Sequence, residues 1–100
     1  MNESTGKPLE GVLVVALEQA LAAPLATCRL ADAGARVIKL EREEGDFARG
    51  YDAFANGQSA YFAWANRGKE SLVVDIKDSS DVSLIRRIIA EADVFIQNLG

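Results

Sequence analysis

Residues 12–17, V-L-V-V-A-L, form an unbroken aliphatic run of strand length, and no other feature limits the possible folds so tightly. A strand without polar alternation is buried on both faces, and such strands belong to parallel sheets covered on each side by helices. The next residues agree. E-Q-A-L-A-A at 18–23 reads as a small-residue loop, and Pro24 stands where a helix can begin, since its missing N–H costs nothing at the first helical position. The helix is expected to run to about Ala33 with Leu25, Cys28, Leu30 and Ala31 on its apolar face, and Gly34 supplies a left-handed stop. Arg36 to Glu41, R-V-I-K-L-E, is then a second strand, which completes a βαβ unit with parallel strands.

The second half repeats this logic. Leu72 to Ile76 reads as a strand, Asp78 to Ser80 offer N-caps, and a helix to about Ala92 carries Val82, Ile85, Ile88 and Ile89 as its apolar stripe. Val94 to Gln97 is a fourth strand. The fold class is therefore α/β, a Rossmann-like parallel sheet with flanking helices. Two helices do not cover both faces of four buried-type strands, so residues 1–100 read as one part of a larger domain, with an isolated fragment expected to aggregate or stay partly unfolded. Between the halves, Arg42 to Ser71 has no clean period and holds Phe47, Tyr51, Phe54, Tyr61, Phe62 and Trp64, six of the seven aromatics. Short helical pieces are expected there, either as a satellite core or as the lining of a ligand site.

Charge and composition narrow the function. With net charge −4 and 11 scattered Lys and Arg, the chain has no stripe to follow a phosphate backbone, so nucleic acid is not an expected partner. No apolar run reaches the roughly 18 residues that span a bilayer, and the polar start carries no signal-peptide core; a cytoplasmic protein without membrane contact is expected. There is no histidine and one cysteine, so neither a common zinc set nor a Ser-His or Cys-His dyad can be assembled from these residues, and no metal is expected.

Four places can carry chemistry. The loop from Glu18 to Ala23 presents backbone N–H groups at a helix start, which suits an anion, although no G-x-G-x-x-G is present. Arg42 ends the second strand, where open α/β sheets place their ligand crevice; it can bind phosphate bidentately or stack on adenine, or merely offset Glu41, Glu43, Glu44 and Asp46. Lys39, inside that strand, is expected only to snorkel. Lys77 leaves the third strand and Asn98 the fourth, so Arg42, Lys77 and Asn98 converge with the first loop on one sheet edge, proposing a phosphate-bearing, nucleotide-like ligand. Asp75 is read as orienting backbone rather than as a nucleophile, and Cys28 as a small buried hydrophobe.

The segments P-L-E-G-V-L-V-V-A-L-E-Q, A-A-P-L-A-T, L-A-D-A-G-A-R-V-I-K-L-E-R, G-D-F-A-R-G-Y, N-R-G-K-E-S-L-V-V-D-I-K and A-D-V-F-I-Q-N-L-G occur here in an order and spacing that resemble the amino-terminal segment of family III CoA-transferases, the carnitine and formyl-CoA transferase type. The resemblance implies a Rossmann-like CoA-binding large domain, of which this chain is the N-terminal part, and a homodimer of interlocked subunits. It implies transfer of coenzyme A between an acyl-CoA and a carboxylic acid, a small dicarboxylate being the suggested acceptor. The aspartate that attacks the thioester lies beyond residue 100 in that family, so no catalytic residue is assigned here. Carried over by position, the CoA contacts are Gln19, Ala20, Leu21, Ala22, Arg42, Val74, Ile76, Lys77, Asn98 and Leu99. Two positions depart from the family: Gln19 stands where relatives often carry Arg or His, and Ala22-Ala23-Pro24 replaces A-G-P. A 2-methylacyl-CoA racemase of the same fold and a non-catalytic CoA-binding module are the alternatives.

Overall fold

The computed structural model describes residues 6–50, 52–53, 57 and 59–99. The aliphatic run forms β1 (Leu13–Leu17), followed by α1 (Ala22–Asp32), β2 (Arg36–Glu41), a 3-10 turn at Phe47–Gly50, α2 (Ala60–Asn66), β3 (Lys69–Val73), α3 (Ser79–Glu91) and β4 (Val94–Gln97). All four strands are parallel in the order β3-β2-β1-β4. The expected α/β architecture is therefore present, with β1 at the centre because its aliphatic side chains tolerate burial on both faces.

Strand register divides the core. Val14 pairs with Val37 and Ala16 with Lys39, so even positions of β1 and odd positions of β2 share one face, while Val15, Ile38 and Leu40 take the other. On the first face Val14, Val37 and Ala35 pack with Leu30 and Ala31 of α1. On the second, Val15, Leu40 and Val74 meet Ile85, Ile88 and Ile89 of α3. Three of the four stripe residues read from sequence, Ile85, Ile88 and Ile89, thus form the contact face of α3. Its start is also as expected, since Asp78 Oδ1 accepts from Ser80 N at 2.8 Å and Asp81 N at 3.2 Å.

Three boundaries differ from the sequence reading. The third strand lies at Lys69–Val73, three residues before Leu72 to Ile76, so Ile76 and Lys77 belong to the turn that enters α3. Pairing with β2 decides this: Lys69 lies abreast of Val37 and Val73 of Glu41, whereas apolar content alone favours the later window. In α1, Pro24 is the third helical residue, not the first, and Ala22 is helical; proline is tolerated because none of the first four N–H groups has an intrahelical partner. Helical cover is also larger than two helices, because α2 packs on α1. Of the six aromatics in the intervening segment, Tyr51 and Phe54 lie outside the described residues, as does the side chain of Phe47. Tyr61 and Trp64 meet edge to face at 5.8 Å.

The stop of α1 is a Schellman turn. Gly34 N donates to Ala31 O at 3.0 Å and Ala35 N to Leu30 O at 3.1 Å, with Gly34 at φ +108°. A Cβ at this position would lie 2.7 Å from Lys7 Cβ and 3.2 Å from Glu10 N. Gly34→Ala is therefore expected to cost about 2 kcal/mol, read from the urea midpoint of unfolding. A loss below about 0.5 kcal/mol would mean that the segment carrying Lys7 and Glu10 moves aside freely.

Candidate functional site

Parallel strands bring all four carboxyl ends to one edge of the sheet, and the residues just past those ends build the site. After β1 come Glu18, Gln19 and Ala20; after β2, Arg42 to Asp46; after β3, Val74 to Lys77; after β4, Asn98 and Leu99. A cleft of about 520 Å³ opens among them. Its apolar wall is Leu17, Leu40, Val74, Ile76 and Leu99, and its polar lining includes Gln19, Arg42, Glu43, Glu44, Asp75 and Lys77. Ile76 keeps 58% of its surface exposed, which is unusual for isoleucine and places an apolar contact at the mouth.

Beneath the cleft lies a buried ionic cluster. Lys39 Nζ donates to Asp46 Oδ2 at 2.9 Å and Glu18 Oε2 at 3.2 Å. Lys69 Nζ donates to Glu18 Oε2 at 2.6 Å, Asn66 Oδ1 at 2.8 Å and the Pro24 carbonyl at 2.8 Å. Glu18 Oε1 accepts from the Thr27 hydroxyl at 2.6 Å. The lysine side chains are 1% and 2% exposed and the carboxylates fully enclosed. Two positive and two negative charges balance, as burial demands. Burial pushes the Lys69 ammonium below its ordinary range, while hydrogen bonding and charge from Glu18 act to restore it. Phe62 of α2 lies over this cluster, 5.7 Å from Lys39 Nζ and 3.9 Å from the Arg49 guanidinium.

A second pair adjoins it. Arg49 holds Glu41 bidentately at 2.6 and 2.8 Å, and Glu41 also accepts from Ser71 Oγ at 2.6 Å and Asp46 N at 2.9 Å. Burial alone would raise the Glu41 pKa, but hydrogen bonds from Arg49, Ser71 and the Asp46 amide, with the arginine charge, outweigh it and bring it to about 2. Asp46 is likewise lowered: burial opposes ionisation, while the amides of Ala20 and Ala48 and then Lys39 favour it. Among the described residues, no buried side-chain nitrogen or oxygen lacks a partner.

These contacts revise the sequence reading in several places. Lys39 does not snorkel; it shares the buried face of Val37, and carboxylates from two other segments receive it. Glu41 and Asp46 are committed to Arg49 and Lys39, and Glu44 lies 3.7 Å from Arg42. Arg42 Nε donates to Gly45 O at 3.0 Å, and its side chain remains 49% exposed at the cleft. Asn98 is turned away from the cleft: its Oδ1 accepts from Gln19 N at 2.9 Å and its Nδ2 donates to Gln19 O at 3.0 Å. Ala20, Leu21, Ala22 and Asn98 are not cleft-lining residues, whereas Gln19, Arg42, Val74, Ile76, Lys77 and Leu99 are. Asp75 Oδ1 accepts from Lys77 N at 2.9 Å, the backbone-orienting role expected of it. Cys28 is buried, with Sγ 3.7 Å from the Trp64 carbonyl. The parts that Glu18, Asp46, Lys69 and Phe62 play are not evident from sequence. The available signal is Lys39 itself, because a lysine on the inward parity of a buried strand requires a carboxylate nearby.

The family model described as CoA-transferase family III matches residues 9–100. The chain belongs to that family. It is similar to the succinyl-CoA:glutarate CoA-transferase of Mus musculus, 46% identical over 94 residues, which cover 92% of this chain and 22% of that protein. Against the acetyl-CoA:oxalate CoA-transferase of Acetobacter aceti, identity is 41% over 92 residues, 91% of this chain and 24% of the relative. A CaiB/BaiF family protein from Brucella suis has the same fold with a TM-score of 0.86 and 42% identity, across 93% of this chain and 26% of that one. The chain thus spans about a quarter of the length of these CoA-transferase family III relatives. Among the described residues, no helix is long and apolar enough to cross a membrane.

The buried charges make the site sensitive to substitution and to acid. Removing one charge strands the others, so Lys39→Met is expected to cost about 3–5 kcal/mol in a urea titration; a loss below about 1 kcal/mol would mean that the carboxylates find other partners. Glu41 has a folded-state pKa below its ordinary 4.5, so its contribution is complete above that value and disappears as pH falls toward 2. Glu41→Gln should flatten the decline in unfolding midpoint between pH 5 and about 2, and an unchanged acid profile would contradict the assignment.

Proposed function

We propose that this chain is the amino-terminal part of a longer enzyme that transfers coenzyme A between an acyl-CoA and a free carboxylic acid, and that the strand-end cleft forms part of its CoA site. The supporting observation is that, in a chain of this family, six residues assigned to CoA by resemblance, Gln19, Arg42, Val74, Ile76, Lys77 and Leu99, line one cleft. The chemistry is suitable. The apolar wall offers area to an adenine ring, and the Arg42 and Lys77 cations offer charge to phosphate. Glu43, Glu44 and Asp75 share the rim, so individual placement rather than net positive charge must hold the ligand.

In this reading the reacting carboxylate is an aspartate in the part of the relatives' length that lies beyond residue 100, and residues 1–100 alone are inactive. That carboxylate attacks the acyl carbonyl of the donor, the C–S bond breaks and the CoA thiolate leaves, giving an enzyme-bound anhydride. The present residues bind and orient CoA. A small dicarboxylate is the proposed acceptor, supported by relatives named for glutarate and oxalate. An interlocked homodimer and a cytoplasmic location complete the proposal and rest on the family resemblance.

The test is to incubate the full-length polypeptide with succinyl-CoA and hydroxylamine and search for an aspartyl hydroxamate by mass spectrometry. An adduct on one aspartate is expected. No adduct, with deuterium exchange at the α-carbon of a 2-methylacyl-CoA, would replace transfer by racemisation. Arg42→Ala and Lys77→Ala should each weaken CoA binding by about tenfold to a hundredfold in calorimetry, since each removes a charge-assisted contact. Unchanged affinity in both would remove this cleft from the CoA site.

A further inference from the structure

We propose that Asn98 is a positioning residue: it fixes the backbone of Gln19 across the β1–β4 junction so that the Gln19 side chain is presented to the cleft, with Asp46 pinning the next residue. This rests on the reading of the cleft as a CoA site. The strand order turns at β1, with β2 and β3 on one side and β4 on the other, and crevices form where the order of an open sheet reverses. Leu17 lies abreast of Gln97, which brings Asn98 beside the turn that leaves β1. Its amide engages both backbone groups of Gln19, at 2.9 and 3.0 Å, across 79 residues of sequence.

The turn so held is strained. Ala20 has φ +65°, the one positive φ outside glycine among the described residues. An L-residue there costs about 1–2 kcal/mol, and such conformations persist only where surrounding contacts enforce them. The enforcing contacts are Asn98 on Gln19 and Asp46 Oδ1 on Ala20 N at 2.9 Å, with the other Asp46 oxygen anchored on Lys39. In contrast, the side-chain amide of Gln19 makes no hydrogen bond among the described residues, and Gln19 is one of the residues that line the cleft. Asn98 and Ala20 do not line it. An over-determined backbone carrying an uncommitted polar side chain is the arrangement of a preorganised contact, and Asn98 reaches a cleft ligand only through Gln19.

The experiment uses the full-length protein with Gln19→Ala, Asn98→Ala, Asn98→Asp and the double variant Gln19→Ala/Asn98→Ala, measuring CoA affinity by calorimetry together with Tm. Asn98→Ala is expected to weaken binding by about as much as Gln19→Ala, about tenfold, and the double variant no further than Gln19→Ala alone. Asn98→Asp keeps the acceptor for Gln19 N and should recover part of the affinity. Factors that multiply in the double variant would show that Asn98 acts on CoA independently, and a lower Tm with unchanged affinity would show a merely structural role; either overturns the proposal. If the unaltered protein binds no CoA, the functional reading fails, and residue-resolved amide exchange decides the positioning. Protection of the Gln19 amide should vanish in Asn98→Ala and persist in Asn98→Asp, and equal exchange in all three forms would sink it.

Discussion

The structure depends on two lysines that have no access to water. Lys39 and Lys69 stand on the same face of adjacent parallel strands, and both are buried against Glu18, with Asp46 completing the partners of Lys39 and the Pro24 carbonyl and Asn66 those of Lys69. An ammonium in such a place is tolerated only with carboxylates at contact distance, and Glu18 and Asp46 provide them. Because those partners come from the end of β1 and from the loop after β2, the pairing fixes how three segments meet. Charge neutralisation here contributes little net stability against an apolar alternative; its effect is to permit one arrangement of the loops and penalise others.

The same cluster places the cleft. Glu18 is held by Lys39, Lys69 and Thr27, and the next residue is Gln19, so the direction of the β1 turn is set from inside the protein. Asp46 faces both ways, taking Lys39 with one oxygen and the amides of Ala20 and Ala48 with the other. Arg49, clamped on Glu41, lies against Phe62 and thereby fastens α2 to the sheet. The long segment after β2 is therefore anchored by polar contacts at its base. Its exposed residues Arg42, Glu43 and Glu44 are left to face the cleft.

Much of the fold is legible in the chain. Strand β2 at Arg36–Glu41, strand β4 at Val94–Gln97, the α3 cap at Asp78 and the α1 stop at Gly34 follow from local pattern, because each depends on residues a few positions apart. Strand β3 is harder to place, because K-E-S-L-V opens with three polar residues on a sheet edge and its neighbour L-V-V-D-I looks more strand-like. Arg42 and Lys77 reach the cleft as their positions imply, since a parallel sheet gathers its strand ends whatever the loops do. Asn98 has the same kind of position, but its amide is drawn to a backbone 79 residues away.

By itself the sequence determined the fold class, the parallel strands and the edge at which a ligand site would form, since these follow from hydrophobic runs and short connections. It also carried the family, through motifs spread over nearly the whole chain. Only the tertiary structure decided which polar residues are buried in contacts within the protein and which line the cleft. Glu18, Asp46 and Asn98 look as available in sequence as Gln19, Arg42 and Lys77. The difference arises because a buried charge or amide must be satisfied by whatever the fold brings near it, and that partner is set by strand order and register, not by separation along the chain.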